Sequence, residues 1–499
     1  MIVSLSVGKV GLVMSKKKKN EHDIIVKFVG NDAIGVTGSM EIVEYFDIET
    51  QTRKQLLLEC GGIQGSGTAK QDIIANMKML ERLKVDNLEY VFVAHSHMDH
   101  CQLLPVLINK GYSNYVISTY ENYEILKELL PDATHIHMSD IDQLRSKGEK
   151  IKYLYNEQDC YGILDRFDIR EIGEIIKLNE TISFRYSTNS HCEGANQLEL
   201  FIKKPNNQVK KILKTSDLGN VLTQPMKHFI RPTEIITKSN LMICESTYGD
   251  RDSFTKKDVL EERKRMIELI DEYVLHNNAR VFVPCFSYSR LQQIMCFIYD
   301  NYKDTWDYEK PIIVDTRLGC KMNHVYQKIL KGEELEYWNE VMNWKAFKFI
   351  DSYKGTASFL SKYTSSLILS SSGMISAGHS VLYAQSIISS SKDIIMFCGY
   401  CNPNTLGYKI MNSEQKTVTI QKQQLLKRCH VEKFNTWSSH AQQEDLIKYF
   451  KQHQTDRIIL VHGDESAKEI LKEKANDKLR AIGRTTPIVC AYKGLEIKL

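Results

Sequence analysis

The segment His95-Ser-His97-Met-Asp99-His100 constrains this chain more than any other. It follows a short apolar run, residues 90–94, that has the pattern of a buried β-strand. On a loop that leaves a strand, His95 and His97 can face one metal ion while Asp99 and His100 face another. Imidazole nitrogen and carboxylate oxygen are ligands that zinc prefers, so the segment predicts a zinc site. The alternative is a polar loop in which Asp99 only caps a helix.

A zinc site needs further ligands, and three candidates also follow strand-like segments. They are His191 after residues 182–186, Asp217 after residues 211–214, and His462 after residues 458–461. A single histidine or aspartate near a glycine turn is more often structural. The order and the shared position of these residues at strand ends are what favour a metal site.

Two patterns of predicted secondary structure divide the chain. Up to about residue 250, short strands broken by glycine-rich turns alternate with helices, and this pattern returns after about residue 427. Between them, apolar strands alternate with helices, which is typical of a parallel sheet covered on both faces. The inserted strands are predicted at residues 280–285, 311–315, 366–369 and 393–397. We therefore predict a domain of residues 1–250 and 427–499 that is interrupted by an inserted domain, residues 251–426.

Composition does not decide whether the binding partner is a polyanion, but the cysteines indicate the cellular compartment. Lys and Arg total 66 against 62 for Asp and Glu, and this balance neither requires nor excludes a polyanion. Twelve scattered cysteines predict reduced thiols in a cytoplasmic protein. No apolar run reaches the length of a transmembrane helix, so no membrane association is expected. Residues 1–22, which include a lysine run, are predicted to form a flexible tail.

On these residues the chain resembles the metallo-β-lactamase superfamily, whose successive ligand motifs match His95 to His100, His191 and Asp217. The inserted domain resembles that of the β-CASP branch, whose members process nucleic acids. Three further matches to that branch are Glu245 in Glu-Ser-Thr-Tyr-Gly, His440 in Ser-Ser-His-Ala and His462 in Leu-Val-His-Gly. The resemblance implies an α/β protein, a metallo-β-lactamase αββα sandwich with an inserted β-CASP domain built on a parallel sheet with helices on both faces.

The resemblance also implies a nuclease that holds two zinc ions. One ion would be held by His95, His97 and His191, the other by Asp99, His100 and His462, with Asp217 as the bridge. His440, oriented by Glu245, would be the general acid, and Asp99 counts with these two as catalytic. Histidine at position 462 is typical of RNA-directed members, so single-stranded RNA is the expected substrate. The expected products carry a 5′-phosphate and a 3′-hydroxyl.

Several assignments have simpler alternatives. Glu245 is also interpretable as a helix-capping acid, and His440 as a surface histidine that begins a helix. Arg290 and the turn of Ser371, Ser372 and Gly373 are candidate phosphate contacts, but Arg290 is equally suited to a structural ion pair.

Three positions depart from the family pattern without removing a ligand. Glu59 stands where the family usually has aspartate, in a position that supports the ligand loop. Gln102 replaces a common glycine, and His191 lies in Ser-His-Cys-Glu-Gly instead of the commoner Gly-His run.

Other functions on the same fold are a DNA nuclease, a hydrolase of thioesters or lactones, and a non-catalytic RNA-binding scaffold. A thioesterase or lactonase would explain the zinc ligands but not the inserted domain, Glu245 or His440. The choice between endonuclease and 5′-exonuclease stays open, and a homodimer is expected from the family alone.

Overall fold

A computed structural model describes residues 22–220, 228–350, 352–412, 414 and 416–499. The tail predicted at residues 1–22 lies, apart from His22, outside the described residues. Among the helices that are described, none is both long enough and apolar enough to cross a membrane.

The first part of the chain builds a mixed sheet with helices between its later strands. Its strands are β1 (Ile25–Phe28), β2 (Glu41–Asp47), β3 (Thr52–Leu58), β4 (Leu88–Phe92), β5 (Tyr115–Ser118) and β6 (Phe167–Ile169). The helices are α1 (Ala69–Leu80), α2 (Met98–Cys101), α3 (Leu104–Asn109), α4 (Tyr120–Ser146) and α5 (Glu157–Leu164), with a 3₁₀ turn at Asn31–Ala33. Strands β1 to β3 are antiparallel, and β3 to β6 run parallel.

A second sheet follows and holds the next candidate ligands. Its strands from this part of the chain are β7 (Ile176–Lys177), β8 (Ile182–Thr188), β9 (Asn196–Lys203), β10 (Val209–Lys214) and β12 (Leu241–Glu245). A short strand, β11 (Lys238–Ser239), lies beside this sheet and pairs with a later segment.

The inserted segment alternates helices with strands, as predicted. The helices are α6 (Lys256–Ile270), α7 (Arg290–Tyr302), α8 (Arg317–Ile329), α9 (Gly332–Asn343), α10 (Tyr353–Lys362), α11 (His379–Ile387) and α12 (Leu406–Asn412), with a π-helical turn at Asp271–His276. The strands are β13 (Arg280–Pro284), β14 (Ile312–Asp315), β15 (Phe347–Ile350), β16 (Ser366–Ser370), β17 (Ile394–Phe397), β18 (Thr417–Ile420), β19 (Gln423–Leu426) and β20 (His430–Lys433).

The C-terminal part returns to the first two sheets. Its elements are α13 (Gln443–Gln452), β21 (Gln454–Thr455), β22 (Ile458–Val461), α14 (Glu465–Arg480), β23 (Ile488–Cys490) and β24 (Glu496–Lys498). Strand β24 pairs with β1, and β22 inserts between β12 and β23. The first sheet therefore has the order β24-β1-β2-β3-β4-β5-β6, and the second β23-β22-β12-β10-β9-β8-β7.

Alternation along the strands explains how these two sheets pack. On β12, Ile243 faces the core between the sheets, where it joins residues such as Val43 from β2. Its neighbours Met242 and Cys244 face the other way and pack against α13 and α14. The first sheet likewise packs its outer face on α1, α3, α4 and α5. This order of helices, sheet, sheet and helices confirms the predicted αββα sandwich.

The inserted sheet is parallel and covered on both faces. Its order is β15-β14-β16-β13-β17-β20. On β13, Val281 and Val283 face one apolar core, which contains α7 and α8, while Phe282 faces another that contains α11 and α12. The inserted sheet predicted from the alternating pattern is thus confirmed. Because β20 belongs to it, this sheet continues past residue 426, and the domain boundary there stays a prediction.

Candidate metal centre

The loop after β4 is held in place by residues that precede β2 and by the loop after β3. The amide of Ser39 donates to the Asp99 carbonyl at 2.8 Å, and the amide of Cys60 donates to the His100 carbonyl at 2.8 Å. Gly61 passes so close that a Cβ atom there would lie 1.6 Å from the Asp99 carbonyl oxygen. Any side chain at position 61 would therefore displace the loop that carries the candidate ligands.

One group of nitrogen donors converges at the end of β4. His95 Nε2 lies 2.7 Å from His97 Nδ1, and His191 Nε2 lies 3.3 Å from the same His97 atom. Zinc–nitrogen bonds of about 2.0–2.1 Å give ligand separations of roughly 3.3 Å around a tetrahedral ion. The three imidazoles are thus close enough to share one metal ion, as predicted for one of the two sites.

A second group of donors lies beside the first. His462 Nε2 is 3.3 Å from Asp99 Oδ2, and His100 Nε2 is 3.9 Å from the same oxygen. Asp217 connects the groups, because its Oδ1 lies 3.2 Å from His100 Nε2 and its Oδ2 lies 3.7 Å from His191 Nε2. The structure therefore brings together all seven residues predicted as ligands.

The charge distribution fits a bound cation. Burial, and after it the neighbouring imidazoles, holds the pKa of His95 well below its ordinary value, and burial lowers that of His97 to about 4. Both rings are therefore neutral, the form that binds metal. Burial opposes charge on His100 as well, but Asp217 and Glu59 hold its pKa well above the ordinary value. The carboxylates of the second group thus favour positive charge at this place, which a metal ion would supply in place of the imidazole proton.

Two buried atoms of the candidate metal ligands also lack hydrogen bonds. His100 Nε2 and Asp217 Oδ1 face each other, yet neither makes a hydrogen bond of acceptable geometry with any described residue. Buried polar atoms without such partners are uncommon, and a metal ion between them would satisfy both.

Glu59 supports His100 from behind, although the family usually has aspartate at this position. Its Oε2 lies 2.8 Å from His100 Nδ1. The other nitrogen of the ring, Nε2, therefore faces the other atoms of the second donor group. Ser39 and Ser216 donate their hydroxyls to the same carboxylate at 2.7 Å each, and Lys214 Nζ lies 3.1 Å away. The longer side chain therefore still fixes the orientation of the ligand ring.

A histidine–glutamate pair lies at the edge of the centre. His440 Nδ1 is 3.1 Å from Glu245 Oε2, and the His440 ring centre is 4.6 Å from that of His191. Glu245 ends β12 and accepts the backbone amide of Leu218 at 2.6 Å. It does not cap a helix, because the next helix, α6, is capped by Thr255. Burial opposes charge on His440, but Glu245 outweighs it and raises the pKa of the imidazole.

Comparisons with known proteins agree with this geometry. Residues 291–410 match the Beta-Casp domain, and residues 426–485 match the Zn-dependent metallo-hydrolase RNA specificity domain. The two matches confirm the resemblance of this chain to the β-CASP branch of the metallo-β-lactamase superfamily. The first of the two matches lies within the inserted sheet and its helices, and the second contains His440 and His462.

Relatives of this chain include proteins from animals and from a bacterium. Integrator complex subunit 11 of Gallus gallus is 23% identical over 87% of this chain and 70% of its own length. Cleavage and polyadenylation specificity factor 73 of Drosophila melanogaster is 23% identical over 84% of this chain and 58% of its own. A ribonuclease of Thermus thermophilus is 22% identical over 89% of this chain and 93% of its own.

The predicted substrate contacts of this chain lie at the carboxyl ends of the inserted strands. Arg290 begins α7, and no carboxylate of the described residues forms an ion pair with it. Ser371 and Ser372 follow β16, where the Ser371 hydroxyl bonds Thr316 at 2.5 Å and the Ser372 hydroxyl accepts the Ser376 amide at 2.9 Å. A Cβ atom on Gly373 would lie 3.1 Å from the amide of Phe286, so two of these loops touch.

The sequence does not indicate two residues that support the candidate metal centre. Lys214 is buried behind Glu59 and pairs with Glu41 at 2.6 Å. Tyr288, two residues before Arg290, packs against His97 with ring centres 5.3 Å apart. Both contacts join residues far apart in sequence, and neither residue type suggests a metal site.

Proposed function

We propose that this β-CASP protein is a hydrolase that uses two zinc ions to cleave single-stranded RNA. The observation that carries the proposal is the pair of donor groups bridged by Asp217, with His440 and Glu245 at their edge. The relative named as a ribonuclease, which matches over most of both chains, supports RNA as the substrate.

The donor atoms suggest how the ions are shared. One zinc would take His95 Nε2, His97 Nδ1 and His191 Nε2; the other would take Asp99, His100 Nε2 and His462 Nε2, with one Asp217 oxygen toward each. Bound there, two zinc ions would neutralise phosphate charge and lower the pKa of a water molecule from about 15.7 toward 7.

His440 is placed to complete the reaction. Attack of water on phosphorus breaks the bond to O3′, and that oxygen then needs a proton. His440 Nδ1 faces Glu245, so Nε2 is the atom that would donate the proton. The products would carry a 5′-phosphate and a 3′-hydroxyl. Glu245 keeps the ring oriented and, after the transfer, leaves it ready to be protonated again.

Arg290 would hold a phosphate of the RNA backbone. Its guanidinium forms no ion pair with a carboxylate of the described residues, and α7 begins at the interface between the two domains. Amides of the turn at residues 371–373 would contribute further contacts. We expect Arg290→Ala to weaken RNA binding severalfold without changing zinc content. Unchanged affinity in a filter-binding or anisotropy titration would contradict this contact.

The direct test is cleavage of a 5′-labelled single-stranded RNA by the purified protein beside an Asp99→Asn variant. Asparagine keeps the size of the side chain but removes the charge that would hold a metal ion. We expect wild type alone to cut, a chelator to stop the reaction and added zinc to restore it. The label pattern then separates internal cuts from release of single nucleotides at the 5′ end.

Other outcomes of the cleavage assay would indicate other functions. Cleavage of single-stranded DNA at an equal rate would contradict the preference for RNA, and hydrolysis of thioesters or lactones alone would contradict the nuclease. Zinc binding and RNA binding without cleavage of any substrate would instead indicate a scaffold.

A further inference from the structure

The inserted domain forms hydrogen bonds with the loop that carries His191. Tyr288, which lies between β13 and α7, is buried at the interface and donates its hydroxyl to the carbonyl oxygen of Glu193. The Cys192 thiol lies 3.2 Å from the same hydroxyl oxygen. Because that hydroxyl hydrogen bonds Glu193, the thiol is the donor in the second contact. One side chain of the inserted domain therefore holds the two residues that follow His191.

Helix α7, which begins two residues after Tyr288, provides a second contact with this loop. Gln293 on the first turns of α7 donates from Nε2 to Glu193 Oε1 at 2.7 Å. Both partners are buried, with 4% of each residue exposed. The loop after β8 is thus fixed at its backbone and at a side chain by residues that belong to the other domain.

The Tyr288 ring also reaches a second candidate ligand. Its centre lies 5.3 Å from the His97 ring, with the planes at 65°, which is an edge contact between aromatic rings. Tyr288 therefore contacts His97 directly and His191 through its neighbouring residues. Both histidines belong to the same donor group, and their nitrogens lie 3.3 Å apart.

We propose that Tyr288 is a positioning residue that couples the seating of the inserted domain, meaning its packing against the rest of the chain, to the metal site of His95, His97 and His191. When the domain is seated, the tyrosine fixes the loop of His191 and the ring of His97 in the arrangement that binds metal. When the domain moves away, both constraints are lost together and metal affinity falls. The coupling is reciprocal, so metal bound at this site stabilises the seated domain.

This inference rests on the metal centre of the proposed function, but zinc affinity tests it independently of RNA cleavage. The experiment compares wild type with Tyr288→Phe, which keeps the ring against His97 and removes the hydroxyl. Zinc is titrated into the full-length protein in competition with a chromophoric chelator. We expect one of two sites to weaken at least tenfold, equal to about 1.4 kcal/mol, while the other is unchanged.

Tyr302→Phe is the matched control. Tyr302 is also buried, and its hydroxyl lies 2.8 Å from Asp271 Oδ1 and 3.2 Å from the Ile267 carbonyl oxygen, but these contacts lie entirely inside the inserted domain. We expect this control to bind zinc at both sites as tightly as wild type. Loss of a hydroxyl that is only structural would lower the melting temperature equally with and without zinc. For Tyr288→Phe, the zinc-induced rise in melting temperature should itself become smaller.

Equal zinc affinities of Tyr288→Phe and wild type would overturn the proposal, and so would an equal loss in Tyr302→Phe. If wild type binds two zinc ions but cuts no RNA, the nuclease assignment fails while the affinities still decide the role of Tyr288. A wild-type protein that binds no zinc would overturn both.

Discussion

His440 is the residue whose role is easiest to separate from metal binding. A general acid matters only when the leaving oxygen needs a proton, as the O3′ of RNA does. We expect His440→Ala to slow RNA cleavage by roughly 10²–10⁴-fold. Cleavage of a bis(p-nitrophenyl) phosphate diester, whose leaving group departs as a stable anion, should change far less. Rates on both substrates and the zinc content of the variant check the prediction.

The second substrate and the zinc content serve as the control. His440 also lies close to His191 and Asp217, so a role as a metal ligand is the competing explanation. A ligand role predicts zinc loss and an equal decrease on both substrates, and that result would contradict the assignment as proton donor.

Glu59 offers a test of how the ligand rings are held. Removing an outer partner of a ligand histidine typically costs 10–100-fold in metal affinity. We expect Glu59→Gln to weaken the site of His100 within that range, because the charged acceptor of Nδ1 is lost. Chelator competition measures the affinity, and Glu89→Gln, a change far along β4 from the ligands, is the control. Unchanged affinity in Glu59→Gln would mean that the ring is held by packing alone.

At the scale of single residues, the sequence predicts ligands better than it predicts their supports. The ligands are rare residue types at strand ends, and the structure brings all seven together. Tyr288 and Lys214 act through contacts that span the two domains or the two sheets. Nothing local distinguishes them from an ordinary buried tyrosine and an ordinary surface lysine.

At the scale of elements, periodic apolar segments were predicted within a few residues, but the long helix α4 was not. Its buried face includes Asn122, Thr134 and His137 among the apolar residues. Polar residues at buried positions interrupt the apolar stripe by which a helix is recognised. Their burial depends on partners supplied by tertiary structure, such as the Leu154 amide, which donates to His137 Nε2 at 3.1 Å.

This buried histidine predicts acid sensitivity of α4. Burial lowers the pKa of His137 to about 4, against about 6.5 in an unfolded chain. Between these values the unfolded chain binds a proton that the folded chain does not, so the free energy of unfolding decreases as pH falls from 6.5 to 4. The loss is at most roughly 3–4 kcal/mol. We therefore expect the difference in melting temperature between wild type and His137→Gln, both measured with chelator, to shrink or change sign as the pH falls from 7 to 4.5.

His276→Gln provides the comparison, because His276 is exposed. We expect its melting temperature to follow that of wild type at every pH. Parallel profiles for wild type and His137→Gln would show that protonation of His137 is not linked to unfolding.

At the scale of the whole molecule, the two patterns of strands and helices predict the inserted domain and the return of the chain to its first domain. It did not predict how the domains touch. Strand β24 beside β1 and β22 beside β12 join the two ends of the chain in one sandwich. Such pairings depend on register between distant segments, which the local pattern does not encode.

The metal centre draws its ligands from the same distant segments, and this predicts that metal stabilises the whole sandwich. Asp99 and His462 are 363 residues apart in sequence, so an ion between them joins the first sheet to the C-terminal part of the chain. An unfolded chain does not present these donors together, and free zinc at 100 times its dissociation constant would stabilise the native state by about 2.7 kcal/mol per site. We expect the melting temperature of wild type to rise by several degrees on titration with zinc and to fall after chelation. Asp217→Asn, which removes the charge shared by both donor groups, should lose most of this rise. The same zinc-induced shift in Asp217→Asn as in wild type would mean that zinc stabilises the protein from elsewhere, and the bridging role of Asp217 would have to be abandoned.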